Sequence, residues 1–388
     1  MMIRTFAPLM IGFTLLLSSG ATAQVAGPST RPAPKTTRVT VKIANAPLPE
    51  AIQQFSDQTK LPLTLADGRQ MIRFQGRRPG GFMPAAGASP ANPANPAAAA
   101  ALINIDAVDQ PLMQVLAELL KQSGCVPAGE GQRMPGLALA PQAAVRIDLI
   151  NERTLIVHQN ISTNGNAQRQ GSANYNYSFN GIILFDPSLN VIGAREYLSI
   201  ESLEGVSEKL QPMHYGHQSL QRADGRQLAA FRFNVNFNLT SSISRITTMR
   251  GRIGAYQAVE NRDIGLSGDD LLNGGKAEAG DLTLSVAPFD PGSPNGAQLI
   301  LQGPFMKQYQ QHPWNQSIGS FFRIAGPDGS AVPLRVDLAG SGDAQVTVRM
   351  AAMQGPINPA DIDTIKLSLP TKIKELSIPF ELRDVELP

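Results

Sequence analysis

The 388-residue chain has little of several residue types, and each shortage excludes a class of protein. It has one cysteine, Cys125, so disulfides cannot hold it together and its stability must come from packing. Aromatic residues make up 6% of the chain, with one tryptophan, which weakens an assignment to sugar binding because sugar sites rely on aromatic faces. The formal net charge is +2 without a dense basic stripe, so we do not expect nucleic acid as a partner.

The N-terminus has the pattern of an export signal. Arg4 supplies the positive start, Leu9 to Leu17 form a short apolar core, and Ala21-Thr22-Ala23 fits a cleavage site before Gln24. The alternative is an uncleaved membrane anchor, but the core is short for a span, and no later stretch approaches ~20 apolar residues. We therefore expect a soluble protein of the periplasm or cell surface, with no integral membrane segment after cleavage of the signal.

A half-repeat follows the signal. Pro47-Leu48 begins a short amphipathic pattern, and Pro111-Leu112 begins the same pattern 64 residues later. The second pattern is the cleaner one, because its apolar residues recur at the spacing of one helical face from Leu112 to Leu120. Alternating apolar residues flank both patterns and predict strands. The expected order is β-α-β, insertion, β-α-β-β, an α+β module typical of an interaction domain.

The segments VKIANAPLPEAIQQFSDQTKLPLTLAD, INIDAVDQPLMQVLAELLKQSG and RIDLINERTLIVHQ carry a resemblance. Together they resemble the short N-terminal domain of secretins and of some TonB-dependent receptors. The resemblance implies a periplasmic docking module at 38–159. The chain departs from that family in an insertion rich in Ala and Pro at 69–101, and it lacks a following barrel or secretin core, so a pore is not implied.

From about residue 170 the hydrophobic period changes to two. Phe231, Phe233, Val235, Phe237 and Leu239 alternate with polar residues, as in a half-buried antiparallel strand. Many such short strands separated by turn residues predict one or two antiparallel β-sandwiches. Phrases such as FDPSLNVIGAREYLSIESLEG and the ending IPFELRDVELP resemble uncharacterised exported planctomycete proteins over 175–388, which implies an exported β protein but no chemistry.

The sequence thus predicts six segments. They are a signal peptide at 1–23, a disordered leader at 24–37, the α+β module at 38–159 with its flexible insertion at 69–101, and β-sandwiches at 170–280 and 281–388, which are either separate or packed together.

Several side chains could carry chemistry, and each has a plainer interpretation. His214 and His217 could share a metal ion, but no third ligand follows at ligand spacing, so we interpret them as loop residues. Asp269 and Asp270 faintly resemble a calcium loop, although their spacing lacks its alternating oxygens. Cys125 lies at an apolar helix end, where a thiolate is disfavoured.

The remaining candidates are acidic, imidazole or indole side chains. Glycosidase carboxylates need not be close in sequence, but the densest acidic set, Glu196, Glu201, Glu204 and Glu208, is read more simply as a polar connection between strands. His158 and His312 are interpreted as structural, and Trp314 is either a packed loop anchor or a ligand platform. No nucleophile motif or phosphate loop is present. We therefore predict no catalytic residue, no cofactor and no metal.

These observations indicate an exported, non-catalytic envelope protein that acts in protein–protein interaction or structural support. Its expected partner is an envelope protein, and the sequence does not indicate an oligomeric state. The alternative, of a different class, is a carbohydrate-binding module or glycosidase built on a β-sandwich. Paired carboxylates in a cleft lined with aromatic side chains would favour that alternative.

Overall fold

The computed structural model of the protein describes residues 35–65, 102–127, 137–140, 144–167, 173–205, 213–215, 220–221, 228–239, 241–287, 296–310, 318–319, 321–330, 332, 334–352 and 357–388. The predicted signal peptide, the predicted leader up to residue 34 and the predicted insertion lie outside the described residues. The end of the leader is tied to the fold. The carbonyl of Thr37 accepts a hydrogen bond from the amide of Leu112 at 2.9 Å, and its hydroxyl donates to Asp186 at 2.7 Å.

Two strand–helix units open the described chain. The elements are β1 (Arg38–Pro47), α1 (Leu48–Thr59), β2 (Leu63–Leu65), β3 (Leu102–Pro111), α2 (Leu112–Ser123), β4 (Val126–Pro127) and β5 (Leu137–Ala140). β1 and β3 form an antiparallel ribbon, while β5 pairs with β2 in parallel and with β4 in antiparallel. The buried faces of both helices share one hydrophobic core with all five strands.

The two units match in backbone detail at the 64-residue spacing. Asn45 and Asp109 have positive φ angles of 48° and 51° at the same distance ahead of their helices. Lys60 and Gly124 both take the left-handed conformation at the helix C-termini. Glycine, asparagine and aspartate adopt that region more readily than lysine does. The geometry at Lys60 is therefore imposed by the surrounding fold rather than by local preference.

The outer edges of the β1–β3 ribbon are partly covered by glutamine side chains. Gln58, near the end of α1, accepts from the amide of Lys42 at 2.8 Å and donates to its carbonyl at 3.1 Å. Gln122, near the end of α2, makes the same pair of bonds to Asn104 at 2.8 and 2.7 Å. Because unpaired edge groups invite pairing with other chains, these amides protect both edges of the ribbon.

A six-stranded sheet occupies the middle of the chain. The next elements are β6 (Arg146–Asn151), β7 (Thr154–Ala167), β8 (Ala173–Phe185), β9 (Val191–Glu204), β10 (Met213–Tyr215), β11 (Leu220–Gln221) and β12 (Ala229–Leu239). The sheet has the order β10-β12-β8-β7-β6, with β11 also on β12. On β12, the apolar residues Phe231, Phe233, Val235, Phe237 and Leu239 are buried and the polar residues between them are not, as the alternation predicts.

Two further sheets complete the β region. Their elements are β13 (Arg245–Ser267), α3 (Gly268–Asn273), β14 (Lys276–Ala279), β15 (Leu282–Val286), β16 (Ala297–Gln302), α4 (Phe305–Gln310), β17 (Phe322–Ala325), β18 (Leu334–Gly342), β19 (Gln345–Ala352) and β20 (Thr364–Glu386). One sheet has the order β17-β20-β13-β9 and the other β14-β15-β16-β19-β18. The prediction of a mostly β protein with antiparallel sheets is confirmed. In the part of the chain that the structure describes, no helix is long and apolar enough to cross a membrane.

The strands β13 and β20 are each 23 residues long and pair along almost their whole length. Towards one end, Ile253 and Leu382 join the core with the six-stranded sheet. Towards the other end, Leu266 and Leu367 join the core with the five-stranded sheet. Two sandwiches therefore share one strand pair. The boundary predicted between residues 280 and 281 falls in the turn between β14 and β15, which pair with each other.

The six-stranded sheet is also buried on its other face. Ile156 and Ile183 join the sandwich core, whereas Leu155, Val157 and Leu184 join the core of the N-terminal units. Successive side chains of a strand point to opposite faces, so the N-terminal units cover the outer face of this sheet. The boundary predicted at residue 159 lies within β7, and residues 36–388 form one compact unit.

A substitution at Leu116 tests the packing of the N-terminal core, because this side chain is fully buried at the middle of α2. We expect Leu116→Ala to lower the free energy of unfolding by about 2–5 kcal/mol, since it removes buried methyl groups and leaves a cavity. Urea unfolding measures this change. Gln114→Ala, on the exposed side of the same helix, is the control and should change stability by less than about 0.5 kcal/mol. Unchanged stability of Leu116→Ala would show that α2 does not pack as described.

Candidate functional site

The predicted acidic set is a row of surface ion pairs. Glu201 and Glu204 lie on β9, where Arg252 Nε contacts Glu201 at 2.7 Å and Arg250 pairs with Glu204. Arg250 also contacts Glu381 of β20 at 2.7 Å. Hydrogen bonds from Arg250 lower the pKa of both Glu204 and Glu381. A glycosidase acid needs a raised pKa, so this arrangement does not fit that role.

The predicted calcium-like segment is the start of α3. Asp270 accepts hydrogen bonds from the amide and hydroxyl of Ser267 at 2.7 and 2.8 Å, and the Ser267 hydroxyl accepts from the Asp270 amide. This reciprocal arrangement is a capping box, which satisfies amides at the helix N-terminus. The hydrogen bonds from Ser267 lower the pKa of Asp270. Asp270 therefore serves the helix, and Asp269 is exposed beside it.

The other candidates fall into two groups. Cys125 is fully buried, and burial raises the pKa of its thiol. His214 lies in β10 and Glu196 in β9, but their side chains lie outside the description. The residues Glu208, His217, His312 and Trp314 also lie outside the described residues. Within the described ranges, no group of three His, Cys, Asp or Glu residues is placed to hold a metal ion.

The structure instead brings polar side chains together in the β6–β7 hairpin, residues 145–158, which we call the junction hairpin. It contains a charged cluster of Arg146, Asp148 and His158. Nε of Arg146 donates to both carboxylate oxygens of Asp148 at 2.8 and 2.7 Å, and Nε2 of His158 lies 3.3 Å from Oδ2. The cluster extends to the facing sheet, because Nη1 of Arg146 donates to the carbonyl of Asp384 at 2.9 Å.

The sequence places these groups together through strand register. Arg146 lies opposite His158 and Asp148 lies opposite Ile156, so the side chains of Arg146, Asp148 and His158 share one face. His158 is 1% exposed, with the rings of Phe233 and Phe179 edge-on at 5.6 and 6.3 Å.

Gly181 of β8 lies between His158 and Phe233 in the sheet, and a Cβ there would approach a Phe233 ring carbon to 2.7 Å. The missing side chain lets the Phe233 ring reach the imidazole. The imidazole is buried, whereas Arg146 and Asp148 are half-buried, and together they form a polar tie between two sheets.

Asp148 is the acidic centre of the cluster. Burial alone would raise its pKa, but contacts with His158 and Arg146 outweigh that effect, and the pKa of the carboxyl lies below its ordinary value. The carboxylate form is therefore the form that the fold favours. Removing its charge would leave Arg146 without its counter-charge.

A small pocket opens at the turn of the junction hairpin. Its volume is about 320 Å³, and it is lined by Asn151, Glu152, Arg153, Thr154, Leu189 and Ile378. Beside it, Oδ1 of Asp186 accepts from Thr37 and from the amide of Ser188 at 2.8 Å. The hydroxyl of Thr154 and Oδ2 of Asp186 are buried without a hydrogen-bond partner among the described residues. The lining holds one carboxylate, that of Glu152, and one guanidinium, that of Arg153. A guanidinium cannot accept a proton from the Thr154 hydroxyl.

The junction hairpin also ends the sheet. β6 is its last strand, and its outer side faces no other strand within the described residues. Val145 and Leu149 are 56% and 42% exposed there. An apolar, unpaired edge is a common way for β proteins to bind another chain.

Sequence reasoning missed the charged cluster. From the sequence, His158 is interpreted as structural, and no role is assigned to Arg146 or Asp148. The alternation in RIDLI indicates that these two share a face. Only the register of β6 against β7 shows that His158 is the third member.

No family model, curated protein or solved structure gives a significant match to this chain. The site must therefore be interpreted from its own geometry.

The lowered pKa of Asp148 predicts how the stability of the fold depends on pH. Its folded pKa is lowered, so its contribution to stability is present above the unfolded value near 3.8 and is lost as the pH falls through the folded pKa. We expect Asp148→Asn to lower the free energy of unfolding by about 1–3 kcal/mol at pH 7. The difference from the unmodified protein should shrink as the pH falls below about 4.

Denaturant unfolding at several pH values measures this difference. Asp343→Asn is the control, because Asp343 pairs with Lys307 on the surface and is 85% exposed, and its change should be small at every pH. A stability gap for Asp148→Asn that stays constant from pH 7 to pH 3 would contradict the assigned role.

Proposed function

We propose that this is an exported, non-catalytic protein of the cell envelope that acts through protein–protein interaction. The N-terminal α+β module, residues 38–159, is its docking module, of the kind that the short N-terminal domain of secretins and TonB-dependent receptors represents. The β region is the structural support that holds the module. The partner is another envelope protein.

One observation carries this proposal. The two most exposed large apolar side chains among the described residues, Leu102 at 59% and Val108 at 63%, lie on the same strand, β3. The buried residues of β3 alternate with them and face the helices, so the outer face of the ribbon is partly apolar. Because the Gln58 and Gln122 amides cover the ribbon edges, a partner would contact this face rather than add a strand.

The chemistry-bearing side chains agree with a non-catalytic role. Cys125 is buried, Glu204 is neutralised by Arg250, and His158 is enclosed by phenylalanines. The carbohydrate alternative is not favoured by a specific observation. Among the described rings of the first sandwich, those of Tyr177 and Phe237 are stacked in its core, where they offer no exposed face to a sugar.

Affinity capture from the native envelope, with chemical cross-linking, tests this function. We expect the tagged protein, recovered from the envelope fraction, to capture a specific envelope protein. A Leu102→Asp, Val108→Asp double variant should lose that capture, because charges on the face exclude an apolar partner. Leu338→Asp, at an exposed position of β18, is the matched control and should retain it.

Two results would contradict the proposal. Recovery of no specific protein by the unmodified chain would argue against an interaction role. Equal capture by the double variant and the control would show that the outer face of the ribbon is not the docking surface.

A further inference from the structure

The outer edge of β6 differs from the ribbon edges. Gln58 and Gln122 cover the backbone of β1 and β3, whereas no described side chain hydrogen-bonds to the outward backbone groups of β6. β6 also has no proline or lysine, and its pairing with β7 is regular from Arg146 to Leu149. A regular, apolar edge of this kind is open to pairing with another strand.

The residues of this edge are self-complementary. The sequence from Val145 to Leu149 reads apolar, basic, apolar, acidic, apolar. If a second β6 pairs antiparallel about Ile147, Val145 lies opposite Leu149 of the other copy and the two Ile147 residues lie opposite each other. In the same register, Arg146 lies opposite Asp148 of the other copy. Each cross-strand position thus receives a matching side chain.

We propose that β6 pairs with β6 of a second copy of this protein, antiparallel and centred on Ile147, so that the two six-stranded sheets join. An isologous pair requires a strand whose sequence is complementary to itself. The sequence from Val145 to Leu149 meets this requirement on both faces of the sheet. In many proteins, inward-pointing charged side chains prevent an edge strand from pairing with another chain. On β6 the two charges have opposite signs, so in the proposed pair Arg146 would lie opposite Asp148 of the other copy. Pairing with a strand of a different protein would not require the sequence of β6 to be complementary to itself.

The expected dimer is of modest affinity. Only about five residues of each strand pair, which is small beside the roughly 800 Å² per partner of a standard interface. Self-association should therefore depend on concentration in the range of roughly 1–100 µM, where sedimentation velocity resolves it. This inference goes beyond the proposed function and uses a different surface, so either can fail without the other.

A charge exchange tests the register with purified protein. One variant carries Val145→Lys and Leu149→Lys, and the other carries Val145→Glu and Leu149→Glu. In either variant alone, like charges face each other twice, and self-association should weaken about tenfold or more. A mixture of the two should associate again, because each lysine then faces a glutamate. Val108→Lys on β3 is the control and should associate like the unmodified protein.

The outcomes decide the proposal. An unmodified protein that stays monomeric at 100 µM, variants that associate normally, or a mixture that stays monomeric would each overturn it. Circular dichroism checks that the variants fold.

If the charge variants fail to fold, cysteine cross-linking keeps the test open. Val145→Cys mixed with Leu149→Cys should form a disulfide-linked dimer on mild oxidation, and neither variant alone should do so efficiently. Cys125 is buried and does not interfere. Absence of the mixed cross-link would overturn the proposed register.

Discussion

The pairing of β13 with β20 is the constraint on which the rest of the β region depends. Two strands of 23 residues would span roughly 75 Å at 3.3 Å per residue, more than one sandwich core needs. One half of the pair supplies Ile246 and Val385 to the first core, and the other half supplies Ile264 and Ile365 to the second. Neither sandwich has a complete second sheet without this pair. The two cores are therefore halves of one folding unit.

Close packing along this pair requires specific residues. Gly251 of β13 lies under the Phe380 ring, and a Cβ there would lie 2.6 Å from a carbon of that ring. On the exposed face, the ion pairs of Arg250, Lys366 with Asp263, and Lys372 with Glu260 cross between neighbouring strands. Exposed pairs of this kind add little stability. Their effect is to keep that face charged, which leaves less apolar surface on it for association.

The junction hairpin connects this unit to the N-terminal units. Its Leu155 and Val157 join the N-terminal core, whereas Ile156 joins the sandwich core and Arg146 reaches the end of β20. Asp186 holds Thr37 at the same place. Because the hairpin contributes to both cores, the N-terminal module is held on the sheet by shared packing as well as by chain connection. A rigid mount of this kind is consistent with a docking role.

Much of the fold can be predicted from the sequence, since periodicity alone indicates α2 and β12. The length of β20 cannot, because Pro370 and Pro379 resemble breaks. In the structure both lie beyond the residues that β17 pairs with, and β13 pairs with β20 at both positions. The boundaries expected at 159 and 280 lie within β7 and in the turn between β14 and β15. Local composition does not indicate the strand pairing that crosses those positions. The Arg146–Asp148–His158 cluster likewise depends on register.

Hydrogen exchange in a core variant tests the shared strand pair most directly. Leu367→Ala creates a cavity in the second core. It lies far along β20 from Leu382 and far along the strand pair from Ile253 of β13, both of which belong to the first core. If β13 and β20 couple the two cores, the variant should lose protection equally at amides in both halves of the strands, because they open as one unit. Loss of protection confined to the half around Leu367, with the half around Ile253 unchanged, would contradict the account.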